Sequence, residues 1–67
     1  MANEYAVYKT REDGTDQWVK NEMPLNFGTE NEAIKWDYPD ACNVATYLTN
    51  TEQEEFKVGR PGDRQPK

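Results

Sequence analysis

Asp13-Gly14 stands between two short runs rich in aromatic and β-branched residues, Tyr5 to Arg11 (YAVYKTR) and Gln17 to Lys20 (QWVK). Glycine accepts positive φ, so an Asp-Gly pair in that setting predicts a β-hairpin. Whatever else the chain forms must be built onto this hairpin, and little is left to build with. The sequence has 67 residues, of which 34% are hydrophobic. That is room for one domain and one core, near the lower limit for folding alone. A deep substrate pocket is beyond it.

Beyond the hairpin, Asn21 to Gly28 (NEMPLNFG) shows no period and is punctuated by Pro24 and Gly28, so it reads as an irregular loop. Its apolar members Met23, Leu25 and Phe27 are expected to fold over one end of the core. Thr29-Glu30-Asn31-Glu32 has capping-box spacing and predicts a single helical turn. Ala33 to Asp37 (AIKWD) alternates and reads as a third strand, with Ile34 and Trp36 on one face. Tyr38-Pro39-Asp40 opens a helix: proline is tolerated at the first helical position, and an aspartate in the first turn suits the dipole. Ala41, Val44, Ala45 and Leu48 fall at i, i+3, i+4 and i+7, a stripe that faces a core. Asn50 is a fitting stop. Phe56-Lys57-Val58 alternates as a final strand. The expected fold is α+β: a three- or four-stranded, mainly antiparallel sheet with one helix on one face, in the order β-β-β-α-β. The domain spans 1–59, and 60–67, rich in Gly, Pro and basic residues, reads as a disordered basic tail.

Catalysis finds little to work with. The sequence has no histidine, so its one cysteine, Cys42, has no imidazole to activate it, and a Ser-His-Asp set cannot be assembled. A single cysteine also forms no disulfide within the chain, and without CxxC or His there is no structural zinc pattern. Cys42 in a first helical turn reads as a small, half-buried apolar residue. Asp37 and Asp40 flank a turn, and Glu52, Glu54 and Glu55 lack calcium-loop spacing. No glycine-rich phosphate loop is present. The chain is therefore expected to be no enzyme and to use no cofactor. Thirteen acidic against eight basic residues give a net charge of −5, which disfavours nucleic acid and anionic membrane surfaces. The opening Met1-Ala2-Asn3-Glu4 lacks signal-peptide character, and a cytoplasmic location is expected.

Strand alternation sends Tyr5, Val7, Ile34, Trp36, Phe56 and Val58 toward the helix, and Ala6, Tyr8, Lys35 and Lys57 to the other sheet face. That face, with Trp18 and with Arg60 and Arg64 from the tail, is the candidate partner-binding surface. The leading expectation is a non-catalytic protein-interaction module, acting as a monomer or weak homodimer. An acidic decoy that imitates nucleic acid is the alternative, and it requires Glu30, Glu32, Asp37, Asp40, Glu52, Glu54 and Glu55 to share one surface. A third reading is weak single-strand binding through Tyr8, Trp18, Lys35 and Lys57.

The pattern formed by Tyr5 to Lys9, Thr29 with Ala33 and Trp36, Asp40-Ala41 with Ala45 and Leu48, and Phe56 to Val58 resembles small phage and prophage proteins of unknown function. The order of elements, with Phe56, Val58, Arg60 and Pro61 at its end, is also similar to that of a small phage inhibitor of bacterial RNA polymerase. This resemblance implies a class of action, the binding of a host protein.

Overall fold

A computed structural model describes residues 4–62. Its elements are β1 (Ala6–Thr10), β2 (Asp16–Glu22), β3 (Leu25–Gly28), a 3-10 turn (Glu30–Glu32), α1 (Tyr38–Glu52) and β4 (Lys57–Gly59). The strands form one antiparallel sheet in the order β3-β2-β1-β4, and the fold is α+β as the sequence predicts. Of the tail expected over 60–67, residues 63–67 lie outside the described residues.

The hairpin closes through Arg11 N–H to the Thr15 carbonyl at 2.7 Å and Gly14 N–H to the Arg11 carbonyl at 2.9 Å. Gly14 takes φ +92°, the conformation a side chain would resist. The Asp13 carboxylate accepts from the Thr15 amide at 3.0 Å and its hydroxyl at 2.7 Å, which ties one residue of the turn to the other. These bonds hold the Asp13 carboxyl below its usual range.

Two expectations change places. Residues 25–28, read as loop, are strand β3, whereas residues 33–37, read as a strand, form only one isolated bridge. Leu25 and Phe27 alternate onto the core side of β3, with Phe27 opposite Val19 across a register shift between Val19 and Asn21. Asn21 Nδ2 donates to the Pro24 carbonyl at 2.8 Å and secures the reversal at Met23-Pro24. Met23 projects into solvent instead of folding over the core.

Residues 33–36 have another task. Backbone alternation points the Tyr5 and Val19 polar groups toward the space between β1 and β2. There Tyr5 exchanges two hydrogen bonds with Trp36, at 3.0 and 2.7 Å, and the Val19 carbonyl accepts from Ile34 N–H at 3.1 Å. The segment thus occupies the gap where β1 and β2 part. It carries the chain from one sheet face, where Ala33 is buried, to the other, where Trp36 packs.

On that second face lies α1, chiefly over β1 and β4. Ala41, Ala45 and Leu48 are buried against Val7, Val19 and Phe56, with Val44 and Val58 at the margin. Alanines at the contact let the helix approach the sheet closely. The helix begins at Tyr38, so Pro39 is second and not first, and it outlasts Asn50 by two residues. Gln53 takes the left-handed capping position at φ 59° and donates to the Thr49 carbonyl at 3.0 Å. The Thr49 hydroxyl accepts from Phe56 N–H at 3.0 Å, which ties the returning chain to the last turns.

The 3-10 turn crosses the opposite face. The predicted capping box forms: the Glu32 carboxylate accepts from Thr29 N–H at 3.0 Å, and it rests against Gly28. A methyl group there would strike that carboxylate and lie 2.8 Å from Lys20 Cδ. The Thr29 amide first, and then the Lys20 charge, hold the Glu32 carboxyl below its usual range. A depressed carboxyl stabilises the fold above its unfolded-state pKa and loses that contribution as pH falls through the folded-state value. Gly28→Ala is therefore expected to lower the urea midpoint, and to lower it less in a Glu32→Ala background. Glu32→Gln is expected to flatten the dependence of stability on pH below about 5. A double-mutant cycle with denaturation at two pH values measures both effects.

Candidate functional site

The register brings three of the sequence-predicted residues into one row. Trp18 pairs with Tyr8, and Tyr8 with Lys57, so all three side chains share the face opposite the helix, with Gly28 continuing the row. That face is not open. Tyr8 and Trp18 are 5% and 3% exposed, their ring centroids 4.7 Å apart, and they form a second apolar cluster with Ala6 and Ala33. The reason is the 3-10 turn and Ala33, which fold back over the sheet before the chain crosses it. Lys57 remains exposed beside the aromatic pair. Lys35 is exposed on the crossing segment, outside the row. Arg60 pairs with Glu4 at 3.1 Å, and Arg64 lies outside the described residues. A stacking surface built on Tyr8 and Trp18 is thus corrected to a small second core.

Cys42 is half-buried on α1, one turn after Tyr38. The cysteine side chain beside the Tyr38 hydroxyl, by hydrogen bonding and charge, raises the phenol above its ordinary value. Tyr5 meets the same ring edge-on at 5.0 Å. Among the described residues no group of three or more His, Cys, Asp or Glu side chains could hold a metal ion. The acidic residues are spread over separate elements: Glu30 and Glu32 on the face opposite α1, Asp37 and Asp40 where the helix starts, Glu52, Glu54 and Glu55 where it stops. Glu54 is bound to Lys9 at 2.7 Å.

The open concavity is elsewhere. Because α1 rests over β1 and β4, the β2–β3 end of the sheet is only partly covered on the helix side. A groove of about 370 Å³ remains there, lined by Glu22, Met23, Leu25, Tyr47, Leu48, Thr51 and Glu52. Leu25 and Leu48 belong to the core or its margin and form the apolar floor. Met23 is 86% exposed and Tyr47 61%. Tyr38 is the third exposed large apolar residue among those described, at the other end of the helix and against Tyr5. A methionine and a tyrosine standing in water at the mouth of a groove are side chains suited to burial by a partner. Sequence reasoning overlooked both. The available signal was an aromatic on α1 off the core stripe, together with a methionine at the tip of a reversal.

Comparison with protein-family models, with curated proteins and with solved structures returns no match. Among the described residues no helix is long and apolar enough to cross a membrane.

Two outcomes follow from this geometry. Trp18→Ala is expected to cost about 3–5 kcal/mol of stability, the usual loss for a buried aromatic, as measured by denaturant unfolding. Cys42→Ala is expected to bring the Tyr38 titration back down toward the ordinary phenol value, as followed by ultraviolet absorbance.

Proposed function

We propose that this protein is a non-catalytic interaction module that binds another protein through the groove between the β2–β3 reversal and the last turns of α1. The observation that carries the reading is the convergence of Met23 and Tyr47 on one concavity with a leucine floor. Interface energy concentrates in a few aromatic and flexible apolar anchors that fill pockets, and this groove offers such anchors unburied. A sequence without histidine offers its one cysteine, Cys42, no imidazole to activate it, which favours binding over catalysis. The resemblance to small phage proteins makes a host protein the expected partner.

Capture from a nuclease-treated bacterial lysate tests this, with wild-type protein and a Met23→Ser/Tyr47→Ser variant immobilised in parallel. Both side chains are exposed, so the variant is expected to keep its circular dichroism and melting temperature. Its affinity for the captured protein is expected to fall by roughly 30-fold or more. A partner held equally by both forms sinks the reading, and material released by nuclease shifts it to nucleic-acid binding.

A further inference from the structure

The rims of the groove carry charge of one sign. Glu22 ends β2 on one side, and Glu52 ends α1 on the other. Among the described residues no lysine or arginine lines the groove, and neither glutamate forms an ion pair. Two lysines of the flanking strands are engaged elsewhere. Lys9 donates to Glu54 and lies over the Phe27 and Phe56 rings, while Lys20 stands beside Glu32 on the opposite face.

Glu52 is also misplaced by the physics of its own helix. The last turn of a helix presents unpaired carbonyls and the negative end of the dipole, which favours lysine, arginine or histidine. Here that turn has no basic residue and ends on a carboxylate, with Glu54 and Glu55 following. A local rule broken without a compensating ion pair among the described residues is where function is sought. A cation arriving from outside would relieve it.

Resting on the groove reading above, we propose that the groove takes a short basic segment of a partner: one apolar side chain seated on Leu25 and Leu48 between Met23 and Tyr47, flanked by lysine or arginine directed at Glu22 and Glu52. The argument is charge complementarity. The floor takes the apolar anchor, both rims repel anions, and the chain as a whole carries −5. The volume of about 370 Å³ suits one large side chain and part of its backbone, so the determinant is short. Exposed ion pairs are weak, so the anchor sets most of the affinity and the charges set the choice of partner.

The test uses three synthetic peptide pools, acetylated and amidated, with central Leu, Phe or Trp: one flanked by Lys and Arg, one by Glu, one by Ser. Binding is read by fluorescence polarisation, and the site by chemical shifts of the Met23 methyl and the Tyr47 ring. The basic pool is expected to bind at least about tenfold better than the neutral one, with affinity falling as salt rises. Glu22→Gln/Glu52→Gln is expected to weaken it about three- to tenfold. Glu52→Gln alone is expected to raise Tm by about 2–5 °C, because it removes a charge from the wrong helix end. Binding that is equal across the pools, or absent from the basic pool up to millimolar concentration, overturns the proposal. So does a dimer in sedimentation that Met23→Ser disperses, since the occupant is then a second copy. These failures are separate from failure of the groove reading, which turns on whether lysate capture depends on Met23 and Tyr47.

Discussion

Both layers of this molecule depend on three backbone hydrogen bonds, those that hold Ile34 to Val19 and Trp36 to Tyr5 in the gap between β1 and β2. A strand pair that stayed zipped to its end would leave the chain on one side of the sheet. By parting, β1 and β2 let the polypeptide through, and the Tyr5 amide and carbonyl and the Val19 carbonyl find partners on it, as buried backbone requires. The residues before the gap then cover Trp18 and Tyr8, and those after it supply Trp36 and the helix to the opposite side. A sheet of four short strands thereby gains two apolar clusters from one small set of side chains. For a chain with so few hydrophobic residues, that economy is what makes a single domain feasible.

The layer on the helix side is asymmetric. Alanines at 41 and 45 draw α1 down onto β1 and β4, where Val7 and Val58 face it. At the hairpin end Lys9 completes the cover: its stem is half-buried, and its ammonium lies 5.0 Å from the Phe27 ring centre and bonds Glu54. At the opposite end of β2 and β3 no side chain among the described residues plays that part. The groove beside Met23 and Tyr47 is what an off-centre helix leaves on a sheet one strand too wide for it.

Much of this was legible in the sequence. The hairpin announced itself through Asp13-Gly14, the 3-10 turn through Thr29 and Glu32, and the helix through its stripe at 41, 44, 45 and 48. The faces of Val7, Val58 and Phe56 followed from alternation alone. The exchange of strand and loop between residues 25–28 and 33–37 has a plain cause. Leu-Asn-Phe-Gly is too short to display a period, and Ala-Ile-Lys-Trp alternates well but meets only one residue with which to bridge. Periodicity reports which way side chains can point, and says nothing about which backbone is free to pair. The same limit hid the site. Trp18 and Tyr8 belong to an apolar pair whose covering came from a distant turn, whereas Met23 and Tyr47 became neighbours only through a helix position that no local pattern encodes.

The order of the strands has a bearing on how the chain is made. β1 precedes the other strands of the sheet in the chain, yet it is flanked by β2 and by β4, which follows the helix. Until Lys57–Gly59 have been made, β1 presents a bare edge, and Val7 lacks the Val58 that faces it. The nascent chain can close its hairpin early and wind its helix locally, but the layer between them stays unsealed. Sealing of this layer therefore waits for residues 56–59, and a shortening that removes them leaves β1 with the unpaired edge that invites association.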